Sequence, residues 1–358
     1  MEPPARAPEP APDPTWPVIA AYGAGVDSTA MLIELLARGE RLDAVLFADV
    51  GAERPATYAF LDIFRNWLAA LGVTVTVVRY QPRNFKNWPP YATIEENLLS
   101  NGTLPSIAFS GAGHTCSLKW KVAPQEAWTA AWAPAQAVWA RGGRVVKLIG
   151  YDASPRDLKR YAHARTVQAD ERYHHRYPLL EWGWDRARCE AAILAAGLPL
   201  PPKSSCWFCT ASRPEEIDAL PAVILRRIVL MEARAKPRLR TIDGLWRKPV
   251  QGHRGATARP GSMTEYIRAR GLLPSGEIDA IAALAPSALV RFREASRDAP
   301  DEAPPMAEWL DLFDAAAAAG LEGPGVGRLY GQLDQRRPPR GDTSADRDGI
   351  SDGRRSCG

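Results

Sequence analysis

Short apolar runs alternate with amphipathic segments along the first half of the chain. Four runs predict buried strands, over Val18–Tyr22, Leu42–Ala48, Val73–Tyr80 and Val145–Gly150. Between them, Ser28–Ala37 and Ala56–Leu71 have helical spacing, with Phe60, Ile63, Phe64 and Trp67 on the apolar face of the second. Strands that alternate with helices favour a parallel sheet. The first half therefore predicts an α/β fold with a doubly wound, mainly parallel sheet.

After about residue 185 the helical spacing predominates. Helices are predicted over Ala187–Ala196, Pro214–Ala233, Met263–Arg270, Ile278–Ala295 and Met306–Ala319, with interruptions at Pro221 and Pro286. Both ends of the chain are rich in Pro, Arg, Asp and Gly, so we expect residues 1–15 and 336–358 to be disordered. The predicted organisation is an α/β domain at 16–212 followed by a mainly helical region at 213–335.

Composition limits the class of protein only broadly. The chain has 358 residues, of which 46% are hydrophobic, enough for an α/β domain and a smaller appendage. It has no apolar stretch of membrane-spanning length, and its Pro-rich N-terminus lacks the apolar region of a signal peptide. Five cysteines, two of them in Cys206-x-x-Cys209, suit a reducing compartment better than a disulfide framework. We therefore expect a cytoplasmic protein with no membrane partner.

The net charge of +4 is unevenly distributed. Between Ala233 and Thr264, Asp243 is the only acidic residue. The basic residues there are Arg234, Lys236, Arg238, Arg240, Arg247, Lys248, Arg254 and Arg259. Such a stretch can follow a nucleic-acid backbone or form a solvated basic surface, and both interpretations stay open. Nucleic acid is a candidate partner of residues 234–259.

The first predicted strand ends in a turn of small residues that leads into a helix. The run is Tyr22-Gly23-Ala24-Gly25-Val26-Asp27-Ser28-Thr29. A glycine-rich turn before a helix N-terminus presents free backbone N–H groups and the positive end of the helix dipole to an anion. A Walker-type loop would need a Lys before its hydroxyl residue, and none is present. All eight residues are candidate phosphate-binding residues, the alternative being a generic strand–helix turn.

This turn resembles the Ser-Gly-Gly-x-Asp-Ser loop of the PP-loop ATP pyrophosphatases. Gly25, Asp27 and Ser28 match the pattern, whereas Gly23 replaces its Ser and Ala24 its first Gly. The resemblance implies a Rossmann-like, adenine nucleotide alpha hydrolase-like fold. It also implies an adenine nucleotide with Mg²⁺ as ligands, and a catalytic role for Asp27.

The segment after the second strand resembles the phosphoadenosine phosphosulfate (PAPS) reductase-like branch of this superfamily. Phe47–Tyr58 is similar to its acid, Thr-Gly, Glu, Pro-x-Thr pattern, with Val50 in place of Thr. Asp49, at a strand end, is expected to bind a ribose hydroxyl or magnesium. Glu53 precedes a helix, where a charge that complements the helix dipole is the alternative interpretation.

Two later segments supply candidate cations. Cys116–Pro124 is similar to the family's Cys-Thr-x-x-x-Lys-x-x-Pro segment, so Lys121 is predicted to neutralise the phosphates. Gly150 follows the fourth strand and Arg160 lies ten residues on, as in the family. Gly150 is thus a candidate nucleotide-binding residue. Arg160 is a candidate phosphate contact, because a guanidinium can form two hydrogen bonds to phosphate oxygens at once. For both cations a solvated surface position is the alternative.

The cysteines suggest a metal site. Cys206 and Cys209 can direct two thiolates at one ion, and four ligands complete a zinc or iron–sulfur site. Cys189 is the predicted third ligand. The fourth is Cys116, or one of the histidines His114, His174 and His175. The run resembles PAPS reductase-like proteins related to the DNA phosphorothioation sulfur-transfer component, which implies a [4Fe–4S] cluster, with Zn²⁺ still open. Two alternatives are a buried, apolar role for Cys189 beside Ile193 and Leu194, and a metal-free Cys206/Cys209 pair.

The resemblance covers about residues 17–215 and implies an enzyme that cleaves ATP to AMP and pyrophosphate. It would adenylate a substrate for sulfur or nitrogen transfer, with a sulfur-donor protein as a candidate partner. One alternative is a thiol-dependent PAPS or adenylylsulfate reductase, for which Cys357 lies near the C-terminus but lacks the family's flanking Glu. The other is a non-catalytic protein that binds nucleotide or nucleic acid, suggested by Gly23 and Ala24.

Overall fold

A single parallel sheet organises the first half of the molecule. The computed structural model describes residues 11–82, 90–105, 115–166, 170–252, 257–285 and 305–320. The five strands are β1 (Val18–Tyr22), β2 (Ala44–Ala48), β3 (Val75–Val78), β4 (Val145–Ile149) and β5 (Tyr173–Arg176). They pair in parallel in the order β3-β2-β1-β4-β5. The predicted doubly wound α/β fold, followed by helices, is confirmed.

Helices cover both faces of this sheet. The helices of the first half are α1 (Val26–Ala37), α2 (Pro55–Ala70), α3 (Ile94–Asn101), α4 (Thr115–Ser117), α5 (Ala123–Ala131), α6 (Ala133–Trp139), α7 (Pro155–Ala164), α8 (Pro178–Glu181) and α9 (Arg186–Ala195), of which all but α3 belong to this layer arrangement. A π-helical segment, Leu118–Val122, joins α4 to α5. Apolar residues of α1, α2 and α9 form one core against the sheet, and those of α5 and α6 a smaller second one. Burial on both faces is typical of parallel strands.

The topology fixes where a ligand can bind. Residue Ala20 of β1 pairs with Val45 of β2 on one side and with Leu148 of β4 on the other. The chain therefore winds away from β1 in opposite directions, which makes the gap between β1 and β4 a topological switch point. In open parallel sheets, ligands bind at the carboxyl ends of the strands beside such a point.

A separate apolar core holds the C-terminal helices together. These are α10 (Pro214–Asp218), α11 (Ala222–Ala235), α12 (Met263–Ala269), α13 (the described helical residues 275–285) and α14 (Met306–Ala318). Helix α3 and Trp120, from the first half, pack into this core rather than under the sheet. The two regions thus interleave in sequence, while the boundary at residue 212 stays a prediction. Within the described parts of the chain, no helix is long and apolar enough to cross a membrane.

Several elements differ from the sequence prediction. Strand β5 and the helices between β3 and β5 were not predicted. Ile63, expected on the buried face of α2, is 45% exposed. Residues 11–15, expected to be disordered, include a turn in which Asp13 accepts hydrogen bonds from Thr15 and Trp16. Residues 1–10, 286–295 and 321–358, and with them Cys357, lie outside the described residues.

Candidate functional site

The turn between β1 and α1 lies at the carboxyl edge of the sheet. Ala24 has φ of +53°, the left-handed conformation that glycine adopts without strain, and Gly25 is the extended N-cap of α1. Ser28 closes the turn, since its Oγ accepts from the Gly23 N–H (3.2 Å) and donates to the Gly25 carbonyl (3.3 Å). Among the described residues, no side chain caps α1. The N–H groups of its first turn are therefore left for an anion.

Several of the eight predicted phosphate-binding residues have side chains in the core, the methyl group of Ala24 among them. Tyr22 packs against Phe47 and Phe64, and the Thr29 hydroxyl donates to its hydroxyl at 3.4 Å. Val26 is buried in the same core. Tyr22, Val26 and Thr29 thus support the turn from below, and their side chains are not ligand contacts.

Two residues outside the turn determine its shape. A Cβ added to Gly150 would lie 2.9 Å from the backbone nitrogen and Cα of Ser28, so a glycine is needed where β4 approaches α1. Gly150 therefore acts by close packing. Ser204, just before the Cys206-x-x-Cys209 segment, donates its hydroxyl to the Gly23 carbonyl. Sequence reasoning missed Ser204, because no local pattern connects it with residue 23.

Acidic and basic groups alternate around the turn. Asp27 pairs with Arg186 of α9 (Oδ1 to Nη1, 3.1 Å), a contact that no sequence pattern indicated. Burial raises the pKa of Asp27, and the charges of Asp152 and Asp157 raise it further against the lowering effect of Arg186. Arg160 pairs with the buried Asp157 at 3.1 Å. The predicted cation Arg160 is thus at this edge of the sheet, held by a carboxylate.

Both carboxylate oxygens of Asp49 accept hydrogen bonds from neighbouring groups. Its Oδ1 accepts from the Gly51 N–H (2.8 Å) and the Tyr58 hydroxyl (2.7 Å), and its Oδ2 accepts from Arg79 (2.8 Å). Burial would raise the pKa of Asp49, but these hydrogen bonds and the charge of Arg79 outweigh it and lower the pKa. In this structure Asp49 holds the end of β2 in place, and its binding to ribose or magnesium stays a prediction.

Lys121 lies among the cysteines. Its Nζ is 2.7 Å from Oε1 of Glu53, whose side chain is 0% exposed. The Glu53 Oε2 has no hydrogen-bond partner among the described residues. Burial alone would lower the pKa of Lys121, but Glu53, Cys206 and Cys209 raise it. In this structure the charge of Lys121 compensates a carboxylate and lies near two thiols, and its contact with phosphates stays a prediction.

A short backbone pairing joins these groups to the sheet. Glu53 forms an antiparallel bridge with Cys206, and the Trp207 N–H donates to the Ala52 carbonyl at 3.1 Å. The segment after β2 therefore fixes the Cys206-x-x-Cys209 segment. Glu53 does not cap α2, whose N-cap is Arg54.

The structure brings together three of the four predicted metal ligands. Burial raises the pKa values of Cys116 and Cys206, and each also senses the charge of the Cys209 thiol. Cys189 lies apart, fully buried beside Ile193 on α9. Burial raises the pKa of Cys189 to about 12, and its nearby charged groups are Asp27, Asp152, Arg186 and Asp185. This placement corresponds to the alternative of a buried apolar residue.

The donor set does not form a metal site as placed. Among the described residues, no group of three or more His, Cys, Asp or Glu side chains could hold a metal ion. His174 packs against Trp16 (ring centroids 6.2 Å apart), near the start of β1. His175 is its neighbour in β5, and His114 lies outside the described residues. The thiols suit zinc or an iron–sulfur cluster chemically, but their arrangement does not.

The basic stretch 234–259 is not one continuous surface. Arg234 is buried, Arg259 lies over the Trp246 ring at 4.8 Å, and Arg238 donates to the Asn101 carbonyl. Lys248 lies 3.6 Å from Asp243. Arg254 is outside the described residues. Along the 234–259 stretch, exposed basic residues are therefore separated by basic residues that are buried or paired within the structure.

Comparison with known proteins adds no assignment. No protein-family model matches the chain, and no curated protein matches it.

Proposed function

We propose that the protein is a PP-loop adenine-nucleotide enzyme. It would cleave ATP to AMP and pyrophosphate and thereby adenylate an acceptor for sulfur or nitrogen transfer. The observation that supports this most directly is the uncapped N-terminus of α1, which follows a left-handed turn beside the switch point of the sheet. Backbone N–H groups and a helix dipole at that place suit a phosphate chain that lacks a lysine of its own.

In this proposal the protein's residues mainly position the reactants and neutralise the negative charge of the phosphates. An acceptor oxygen attacks the α-phosphorus, the bond to the bridging oxygen of pyrophosphate breaks, and a sulfur or nitrogen nucleophile later displaces AMP. The turn at Gly25, Asp27 and Ser28 binds the leaving pyrophosphate through N–H groups, and preorganised donors of this kind stabilise developing charge. Arg160 and Arg186 lie at the same edge, each on a carboxylate that a phosphate can replace.

Asp27 fits a magnesium ion bound jointly with phosphates, because Mg²⁺ commonly takes one or two carboxylates plus substrate oxygens. When bound, that ion would offset the negative charge of the phosphates and of Asp27. No step is assigned to zinc or to an iron–sulfur cluster, since the cysteines as placed do not form a metal site. Cys206 and Cys209 follow Ser204 on one segment, and Cys116 of α4 lies near them, a grouping of thiols that favours sulfur over nitrogen transfer.

Calorimetry on the full chain tests the proposal. We expect ATP to bind and Ser28→Ala to weaken binding about tenfold, because the hydroxyl that closes the turn is lost. Ser275→Ala, an exposed serine at the start of α13, should leave affinity unchanged. Pyrophosphate release in the presence of acceptor then separates an enzyme from a non-catalytic binder.

Two results would contradict the proposal. Failure to bind either ATP or PAPS would remove its basis. Binding of PAPS with thioredoxin-dependent sulfite release that Cys357→Ser abolishes would establish the reductase instead.

A further inference from the structure

Helix α7 has no apolar buried face. Its one buried side chain in the described structure is the carboxylate of Asp157, while Leu158 is 45% exposed. The other described helices of ten residues or more all bury apolar side chains. Helices in proteins owe most of their stability to packing of such a face. The surface of α7 is therefore available to a partner.

The charge of this surface is positive. Arg156, Lys159 and Arg160 are exposed, and Arg165 follows at the C-cap. The acidic residue of the helix, Asp157, is buried and paired with Arg156 and Arg160, each at 3.1 Å. Its charge is thus compensated internally, and the outer face of α7 presents cations.

Three tyrosines adjoin these cations. The Tyr177 ring lies 5.4 Å from that of Tyr151 and 4.9 Å from that of Tyr161, measured between centroids. Arg160 lies over Tyr151 and Arg165 over Tyr161, each at 5.9 Å. All three tyrosine residues are half-buried, so each keeps some exposed area. A connected set of partly exposed rings with guanidinium groups above them is a stacking platform.

We propose that α7 and these three tyrosines, here called the α7 surface, bind single-stranded nucleic acid. Unpaired bases would stack on the tyrosines, and phosphates would pair with the helix cations. Charge complementarity alone would also admit an acidic protein segment, but the ring cluster favours bases. A duplex keeps its bases stacked on one another and cannot use the rings.

The position of the α7 surface connects it with the nucleotide site. Tyr151 comes two residues after β4 and Tyr177 directly after β5, so both lie at the carboxyl edge. Gly150 packs against Ser28 of the turn between β1 and α1. A strand bound here would lie beside the turn as the acceptor of group transfer. That role as acceptor rests on the proposed function, whereas binding itself does not.

Fluorescence anisotropy on the full chain without nucleotide tests the inference. The probe is a labelled DNA or RNA strand about 16 nucleotides long, the upper end of common site sizes. Lys159→Gln with Arg165→Gln should weaken binding about tenfold or more and lower the salt slope by about 1.4, the value for two lost phosphate contacts on a single strand. The matched control, Lys236→Gln with Arg240→Gln, removes the same charge from exposed positions of the 234–259 stretch and should change affinity less than about twofold.

A second pair of variants isolates stacking. Tyr161→Leu should weaken binding about tenfold at every salt concentration, with an unchanged salt slope, while Tyr161→Phe keeps the ring and near-normal affinity. Circular dichroism checks that each variant is folded.

Each contrary result has a distinct meaning. Equal losses from the two charge pairs, or equal affinities of Tyr161→Leu and Tyr161→Phe, would overturn the α7 surface as the site. Competition by poly-glutamate as strong as by single strands would assign the surface to an acidic protein. Nucleic-acid binding by a chain that binds neither ATP nor PAPS would refute the proposed function and leave this inference intact. ATP cleavage without binding of single-stranded nucleic acid would refute this inference and leave the proposed function intact.

Discussion

At the residue scale, the β1–α1 turn depends on a contact that only glycine permits. Gly150 does not have a left-handed backbone, yet a Cβ there would meet the backbone of Ser28 at 2.9 Å, which no side-chain rotation can relieve. The contact joins the end of β4 to the first turn of α1. A methyl group at residue 150 would therefore move the N–H groups proposed to bind phosphate.

We accordingly predict that Gly150→Ala lowers both stability and nucleotide affinity. Overpacking of this kind costs about 1–3 kcal/mol in the free energy of unfolding, and the displaced turn should raise the Kd for ATP by about tenfold. Urea unfolding and calorimetry measure the two effects. Gly276→Ala is the matched control, because a Cβ there meets no atom within 4 Å. A Gly150→Ala variant with normal ATP affinity would show that the turn tolerates displacement.

At the scale of elements, one buried carboxylate ties α11 to the start of α12. Glu232 of α11 accepts from the N–H groups of Leu245 (2.6 Å), Met263 (2.9 Å) and Thr264 (2.8 Å). It also accepts from the Ser262 hydroxyl. A carboxylate at a helix N-terminus satisfies free donors and complements the dipole. Glu232 thus accepts hydrogen bonds from the N-terminal N–H groups of α12, whereas no described side chain does so for α1.

Glu232→Gln should destabilise the protein by about 2–4 kcal/mol, since the amide places an NH₂ among donors and loses the charge-assisted bonds. The midpoint of urea unfolding reports the change. Glu265→Gln, an exposed acid in the first turn of the same α12, is the control and should cost less than about 1 kcal/mol. Equal effects of the two substitutions would mean that only the helix dipole matters, and not the network around Glu232.

At the scale of the whole molecule, the sequence predicted those features that depend on short segments of the chain. The β1–α1 turn and the parallel sheet were predictable because apolar spacing and the small-residue turn lie within short segments. Strand β5 was missed because Tyr-His-His-Arg has no apolar run. The pairing of Lys121 with Glu53 was not predicted, and the burial of Cys189 in the core beside α9 was only an alternative, because tertiary packing sets both.

The helical region is also tied to the first half by charge. Arg227 of α11 lies between two carboxylates, Glu95 of α3 (3.0 Å) and Asp314 of α14 (2.7 Å). Burial raises the pKa of Glu95 to about 7. The positive charge of Arg227 lowers this pKa, whereas the negative charges of Asp314 and Glu96 raise it. The unfolded chain would release the Glu95 proton near pH 4.5, its ordinary value. Between these values the folded chain keeps a proton that the unfolded chain loses.

The contribution of Glu95 to the free energy of unfolding should therefore fall as pH rises from about 4.5 to about 7, by up to about 3 kcal/mol. Glu95→Gln removes the titrating group, so its stability relative to the native chain should increase between about pH 4.5 and about pH 8. Urea unfolding at the two pH values measures this difference. Asp314→Asn provides the control: with less negative charge nearby, the pKa of Glu95 falls and the pH-dependent loss becomes smaller. Parallel pH profiles for the native chain and Glu95→Gln would mean that Arg227 keeps Glu95 ionised throughout, and that this contact between α3 and α11 is insensitive to pH.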